Sequence, residues 1–181
     1  MKAQEMGIRI NNDTPELKNI LTKVKEQEHF GYDYEGAEGS LALLIRKAMG
    51  RVDPAFDLEA YHVSMRGDSL EHVCEATVKV RVGNKIAHTV ADGDGPVNAL
   101  DQALRNALSS FYPELKKVKL TDYKVRILNS SRAFGTAAKT RVSIESTDGK
   151  ERWYTVGVNE NIIEGSLQAL LDGIEFRLLK K

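Results

Sequence analysis

Polar and apolar residues alternate along several stretches of this chain, and the alternation predicts strands. Residues 75–82 and 139–145 both show it, as is typical of a strand that is buried on one face and carries polar or basic residues on the other. Another strand candidate precedes each of them, at 58–65 and 118–128, and each leads into a hairpin. The pattern therefore predicts two groups of strands.

Glycine marks both hairpin turns. The first turn is Gly83-Asn84-Lys85. The second contains Asp148-Gly149, a pair that suits the positive φ angles of a type I′ turn. The turns place one more strand at the end of each group.

Apolar residues at helical spacing follow each group of strands. Pro96 suits the first turn of the first helix, where a missing N–H group costs nothing, and Pro113 ends it. The second helix runs to the basic pair Lys180-Lys181. Each helix has one apolar face, which we expect to pack on its own sheet. The apolar positions are Val97, Leu100, Leu104, Ala107, Leu108 and Phe111 in the first helix, and Ile162, Ile163, Leu167, Leu170, Leu171, Ile174 and Leu178 in the second.

The chain also repeats itself. Residues 89–104 align with 155–170 without a gap, and the acidic residues Asp94 and Glu160 coincide just before the two helices. The order strand, strand, strand, helix thus occurs twice. This predicts an α+β fold of two βββα units, with repeat 1 at about 56–113 and repeat 2 at about 117–181.

The N-terminal part predicts two short helices. Thr14 suits the N-cap of the first helix and Pro15 its first position, and the second helix extends from Leu41 to Met49 and stops at Gly50. Each helix has one apolar stripe, and such short helices are marginal alone, so we expect them to rest on a neighbour outside this chain. The stripes are Leu17, Ile20, Leu21 and Val24, then Leu41, Leu44 and Ile45.

Composition narrows the classes of function. The 181 residues, 41% of them hydrophobic with a mean hydropathy of −0.37, suffice for one good core and a small appendage. The longest apolar run, 41–45, is far shorter than the ~20 residues of a membrane helix, and no signal peptide is evident. A net charge of zero argues against nucleic acid as a partner, and the lone Cys74 fits a cytoplasmic protein.

Motifs for catalysis or metal binding are missing from the sequence. The four histidines are scattered without ligand spacing, and no nucleophile motif or phosphate-binding loop occurs. Residues 92–95, Asp-Gly-Asp-Gly, are not followed by the glutamate of a calcium loop or the third glycine of a dinucleotide fingerprint. We therefore expect no catalytic residues and no metal site in this chain.

The junction between the last strand and the helix of each repeat remains as a candidate site. A helix start presents free N–H groups and a partial positive charge, and small residues let a carboxylate approach it. The same small residues could instead serve only a tight turn and close packing, and the sequence leaves both interpretations open. The residues concerned are Gly93, Gly95, Ala99, Gly165 and Ser166.

Four segments of the chain resemble the C-terminal regulatory domain of the 2-isopropylmalate synthase and citramalate synthase family. They are 93–100, 120–126, 135–139 and 156–166, and their combination is most similar to that of the citramalate synthases of the isoleucine pathway. Residues 31–40 resemble the helical linker of these enzymes, so the resemblance covers essentially the whole chain. It implies a linker subdomain at 1–52 and a regulatory domain at 53–181.

The resemblance implies a fold, an assembly and an effector. Two βββα units would be related by a pseudo-twofold axis and would pair with the same domain of a second subunit, giving a homodimer. Isoleucine or leucine would bind near the dimer interface and inhibit the condensation of acetyl-CoA with a 2-oxo acid, pyruvate in a citramalate synthase. The residues expected around the effector are Gly95, Val97, Asn98, Leu120, Tyr123, Ile127, Ile162 and Ile163, of which Leu120 and Ile127 could equally be core residues.

The catalytic half of such an enzyme is a (β/α)₈ barrel with a divalent metal at an H-x-H motif, and neither is present in this sequence. We therefore expect the chain alone to hold no cofactor and to have no catalytic activity, with the barrel as a partner. Two alternatives stay open. Beside the isoleucine-sensing domain of a citramalate synthase, which the resemblance favours, they are a leucine-sensing domain of a 2-isopropylmalate synthase and a dimerisation module without an effector.

Overall fold

A computed structural model describes residues 15–50, 53–67, 72–128 and 138–180. The expected N-cap Thr14 and residues 135–137 of the third motif lie outside this part. Within it, two three-stranded antiparallel sheets are each followed by a helix, which confirms the predicted pair of βββα units. In chain order the elements are α1 (Pro15–Phe30), α2 (Glu38–Ala48), β1 (Asp57–Gly67), β2 (His72–Val82), β3 (Lys85–Gly93), α3 (Pro96–Leu108), a 3-10 turn (Pro113–Lys117), β4 (Lys119–Leu128), β5 (Lys139–Thr147), β6 (Arg152–Asn159) and α4 (Ile162–Leu179).

The chain divides into two compact units. The first-repeat unit comprises 54–119, 147–151 and the end of the chain from 177. The linker-containing unit comprises the chain up to 53, 120–146 and 152–176. The linker helices thus belong with the second repeat. The domain boundary expected between 52 and 53 stays a prediction, since residue 52 lies outside the described part.

In the first-repeat unit, alternation along the strands determines which face is buried. Residues 74, 76, 78 and 80 of β2 are buried and lie on the face that α3 covers, while the residues between them are less buried. The partners across the sheet follow the same alternation, because Ala76 pairs with Val63 on β1 and with Ala91 on β3. Half-burial was predicted here from the period of two, and it is confirmed.

The same hydrogen bond fixes the helix on the sheet in both repeats. The Thr89 hydroxyl donates to the carbonyl of Ala103 over 2.8 Å, and the Thr155 hydroxyl donates to the carbonyl of Ala169 over 2.7 Å. These threonine and alanine residues are at matching positions of the two copies. The internal repeat seen in the sequence therefore reflects a repeated contact between the last strand and the helix.

The second sheet departs from the prediction of one polar face. In β6 the consecutive residues 155–158 are all buried, so both faces of the strand are covered, and the side chains of Trp153 and Thr155 bond to α4 on one of them. The polar residue Glu145 is also buried. Alternation in β5 did not indicate this, because the covering element comes from a distant part of the sequence.

The linker helices find their neighbour within the chain, so the expectation of an absent support is wrong for α2. Ser40 of α2 is hydrogen-bonded to β6, and Leu41, Leu43 and Ile45 are buried. In α1 Ile20 is buried, but Leu21 is 49% exposed, so its stripe is covered only in part.

Two local differences concern a helix end and a hairpin. The helix α3 ends at Leu108 and not near Phe111, and a 3-10 turn begins at Pro113. The second hairpin has a four-residue loop and not a two-residue turn, because the Asp148 side chain accepts from the N–H groups of Lys150 and Glu151.

In the described part of the chain, no helix has the length and apolar character needed to cross a membrane.

Candidate functional site

The start of α3 leaves backbone N–H groups without a capping side chain. Gly95 is its N-cap and Pro96 follows. The side chain of Asn98 accepts from the Asp94 N–H over 3.2 Å and from Gln102 over 2.9 Å, so it braces the turn and does not cap the helix. The first-turn amides of Val97 and Asn98 are therefore free of any side-chain cap.

The two glycines of this turn, Gly93 and Gly95, differ in whether packing within the chain requires a glycine. A Cβ atom at Gly93 would lie 2.4 Å from the amide nitrogen of Ala99, so close packing of strand and helix excludes any side chain there. Gly95 is different, because its φ of −166° is ordinary extended backbone and a Cβ atom would meet nothing within 4 Å. Packing within the chain explains Gly93 but leaves Gly95 without a reason.

The start of α4 is capped more fully. The Asn161 side chain accepts from the Ile163 N–H over 2.9 Å, and the Asn159 side chain accepts from the Asn161 N–H over 2.8 Å. Close packing also explains a glycine here, since a Cβ atom at Gly157 would lie 2.0 Å from the carbonyl oxygen of Gly165. The free N–H groups expected at both helix starts are thus more evident at α3 than at α4.

Tyr123 lies against the first turn of α4. Its hydroxyl is 2.8 Å from the hydroxyl of Ser166, which donates to the carbonyl of Ile162 over 2.6 Å, so the tyrosine O–H donates to Ser166. Ser166 is fully buried. Sequence reasoning named Ser166 only as a small residue, yet a hydroxyl in an apolar stripe of a helix is a recognisable signal of a buried hydrogen bond.

Two of the candidate residues expose much apolar surface. Ile127 on β4 is 63% exposed and Ile162 at the start of α4 is 40% exposed. Leu120, Val97 and Ile163 are half-buried. Ile127 is therefore not a core residue of this chain, and the alternative of core packing is excluded for it.

The candidate residues fall into two groups by unit. Gly95, Val97 and Asn98 belong to the first-repeat unit. The others belong to the linker-containing unit, where the contact of Tyr123 with Ser166 brings β4 and the start of α4 together. They are Leu120, Tyr123, Ile127, Ile162 and Ile163.

A polar cluster on the second sheet escaped the sequence analysis. The Glu145 carboxylate accepts from Thr121 and from Arg152, each over 2.8 Å, and the Tyr154 hydroxyl also bonds to it. These hydrogen bonds, chiefly that of Tyr154, lower the pKa of Glu145 and raise the pKa of the tyrosine. The cluster keeps a buried carboxylate ionised at neutral pH.

Next to this cluster lies an open groove of about 420 Å³. Its cations are largely neutralised, because Lys124 pairs with Asp122 and Arg141 pairs with Asp33 over 3.0 Å. Arg141 also donates to the carbonyl of Gly31 over 2.6 Å, so it ties the linker to the sheet. Its contacts mark it as a structural residue. No group of three or more histidine, cysteine, aspartate or glutamate side chains among the described residues is placed to hold a metal ion.

Comparison with known proteins decides the family. The model of the LeuA allosteric (dimerisation) domain matches residues 35–178. This chain belongs to that family. The matched range includes α2 and nearly all of both repeats.

Curated relatives of this LeuA domain are longer enzymes. The chain is 52% identical to the (R)-citramalate synthase of Aquifex aeolicus (strain VF5) and 49% identical to that of Geobacter sulfurreducens, over 99% of this chain and 34% of each relative. It is 29% identical to the 2-isopropylmalate synthase of Shewanella frigidimarina, over 94% of this chain and 30% of the relative. The chain spans about a third of the length of these relatives, and it is similar to their regulatory part.

Proposed function

We propose that this LeuA domain is the isoleucine-sensing regulatory part of a citramalate synthase. The enzyme would condense acetyl-CoA with pyruvate in a separate barrel, and isoleucine bound here would inhibit that reaction. Five of the matched (R)-citramalate synthases are 35% to 52% identical to this chain, whereas three of the matched 2-isopropylmalate synthases are 27% to 29% identical. This difference favours isoleucine over leucine as the effector.

The observation that carries the proposal is the exposed apolar surface beside the Tyr123–Ser166 bond. Ile127 and Ile162 are 63% and 40% exposed, and a branched aliphatic side chain would cover such surface. Tyr123 would close the pocket from β4, with Leu120 and Ile163 beside it. The exposed aliphatic residues are the part of the proposed pocket whose apolar surface the folded single chain leaves uncovered.

The start of α3, in the first-repeat unit, is a second place that suits a carboxylate. The amides of Val97 and Asn98 have no side-chain cap, and Gly95 leaves open space in front of them. A helix N-terminus favours an anion both through its N–H groups and through the helix dipole. The first-repeat unit thus offers N–H groups suited to a carboxylate, and the linker-containing unit offers an aliphatic surface.

Titration calorimetry of the purified chain with isoleucine, leucine and valine tests the proposal. We expect isoleucine to bind most tightly and to raise the melting temperature. The variant Ile127→Ala should weaken isoleucine binding by about tenfold or more, because it removes an aliphatic contact worth ~1–3 kcal/mol. Its stability should change little, since the side chain is 63% exposed in the chain alone.

Val90→Ala is a matched control. Val90 is an aliphatic strand residue of the first repeat, 54% exposed, and outside the proposed pocket. Isoleucine binding should be the same in Val90→Ala as in the wild type. Equal weakening in both variants would remove the support for the pocket, and binding that is tightest for leucine would favour a leucine sensor. No binding of any of the three amino acids at millimolar concentration would leave a dimerisation module without an effector.

A further inference from the structure

The carboxyl group of Asp172 joins α4 to the linker helix α2. The Ser40 hydroxyl donates to its Oδ2 atom over 2.6 Å. The nearest cation is Lys47, but its ammonium group pairs with Glu175 over 2.9 Å, and no ion pair to Asp172 is formed within the described residues. Asp172 is half-buried, and a carboxylate that loses part of its hydration without gaining a paired cation is costly, so the contact needs an explanation.

The environment of Asp172 favours its protonated form. Burial raises the pKa of Asp172 to about 6, opposed in part by the Ser40 hydrogen bond and by Lys47 and assisted by Glu175. The loop before α2 contributes two phenols, those of Tyr32 and Tyr34, whose pKa values are also raised, mainly by burial. These phenols therefore stay neutral when Asp172 loses its proton.

The Ser40 hydroxyl can serve either state of Asp172. It accepts from the Val156 N–H over 3.0 Å, and the carbonyl oxygen of Val156 lies 3.4 Å away as a second acceptor. When Asp172 is ionised, Ser40 donates its proton to the carboxylate. When Asp172 is protonated, the carboxylic acid can donate to Ser40, which then turns its own proton to the Val156 carbonyl.

This contact lies where α2 covers the free edge of the second sheet. The strand β6 is an edge strand, and its Val156 N–H group bonds to the Ser40 hydroxyl, while its Tyr154 N–H group bonds to the Glu38 carboxylate over 3.2 Å. Side chains of α2 thus occupy the place of a neighbouring strand. If α2 moves away, these two N–H groups lose their side-chain partners and hydrogen-bond to water instead.

We propose that the Ser40–Asp172 contact is a proton-controlled latch, which holds the linker helix α2 on the edge of β6 and releases it more readily once Asp172 is ionised. Opening of the latch lets water solvate the carboxylate, so the ionised form favours the open arrangement. At neutral pH the linker helix is therefore held less tightly than its apolar contacts alone would hold it. The inference does not depend on the effector, and its test uses no ligand.

Hydrogen exchange of the Val156 and Tyr154 amides tests the latch in the whole chain. In the wild type, we expect their protection factors, corrected for the intrinsic exchange rate, to fall as the pH rises from 4.5 to 7.5, by up to about a hundredfold for a pKa difference of two units. In Asp172→Asn the amide side chain still accepts from Ser40 but carries no charge. Its protection factors should not change with pH.

Glu175→Gln is the matched control, one turn further along α4. This variant also removes one negative charge and breaks the pair with Lys47, yet it keeps Asp172 ionisable, so a pH dependence should persist, with a smaller amplitude because Glu175 no longer raises the pKa of Asp172. Equal pH dependence in Asp172→Asn and the wild type would overturn the latch. A titration of the Asp172 carboxyl carbon by NMR in the wild type adds an independent check, and a midpoint near 4 instead of about 6 would also overturn it.

Discussion

At the scale of single residues, Gly157 on β6 is the position with the least room for a side chain. A Cβ atom there would lie 2.0 Å from the carbonyl oxygen of Gly165 and 3.1 Å from the amide nitrogen of Ala169. Backbone atoms of a packed helix cannot move aside as a flexible side chain can. We expect Gly157→Ala to lower the free energy of unfolding by about 3 kcal/mol, measured by urea denaturation.

Gly36→Ala is the control for this prediction. A Cβ atom at Gly36 would meet nothing within 4 Å, and its φ angle is not in the left-handed region. Its free energy of unfolding should differ from that of the wild type by no more than about 0.5 kcal/mol. An equal loss in the two alanine variants would mean that the contact with Gly165 is not what restricts position 157.

Asp172 gives a prediction of how stability depends on pH. Its pKa in the folded chain is about 6, above the ordinary 3.8, so the folded state binds more protons than the unfolded state between pH 4 and 6. The free energy of unfolding contributed by this group therefore falls as the pH rises through that window, by about 3 kcal/mol in total. Asp172→Asn should remove this fall.

The measurement is the difference in unfolding free energy between Asp172→Asn and the wild type at several pH values. We expect the variant to gain stability relative to the wild type from pH 4 to 6 and to keep the gain above pH 6. The comparison with the wild type is needed because other groups also change stability with pH. Glu145 and Glu59 have lowered pKa values, which favour folding at higher pH in both proteins and cancel in the difference. A difference that is constant with pH would contradict the prediction.

At the scale of elements, the threonine bond from strand to helix is the feature that the two repeats share. Thr155 is fully buried and Thr89 is half-buried, and each donates to a carbonyl of the helix that follows its strand. Valine keeps the shape but removes the hydroxyl. We expect Thr89→Val and Thr155→Val each to cost about 0.5–1.5 kcal/mol in urea denaturation.

The two costs should add in the double variant, because the threonines lie in different units. Deletion of a single hydroxyl at Thr22 on α1, which bonds only within its own helix, is the comparison. Thr22→Val should cost less than either core variant. A larger loss at Thr22 would show that the linker helix, and not the repeated contact, limits the stability of the chain.

At the scale of the whole molecule, the chain belongs to a family of allosteric (dimerisation) domains. We therefore predict that it forms a homodimer. Exposed apolar residues in both units, such as Met65, Ile86 and Val125, are the kind of surface that a second copy would cover. Sedimentation equilibrium at tens of micromolar should give about twice the monomer mass of 20.1 kDa. A mass equal to that of the monomer would contradict the prediction.

The order of elements was predictable because it depends on short-range patterns. Alternation along 75–82 and the helical stripe after Pro96 reflect the periods of a strand and a helix, which any half-buried element must show. The equivalence of Thr89 and Thr155 was also predictable, because the ungapped alignment of 89–104 with 155–170 is a short-range pattern. The exposure of Ile127 was not predictable, because the sequence around an aliphatic strand residue does not tell whether its side chain faces a core or solvent.

The sequence by itself determined the two βββα units, because local periodicity and a repeated motif are properties of neighbouring residues, and four of its segments carried the resemblance to the family. Only the tertiary structure decided what covers the second sheet and where Asp172 lies. Ser40 and Val156 are 116 positions apart, and no periodicity connects residues at such a separation. An aspartate on an amphipathic helix is ordinarily a solvent-facing charge, and here it becomes half-buried because Ser40 of α2 contacts it.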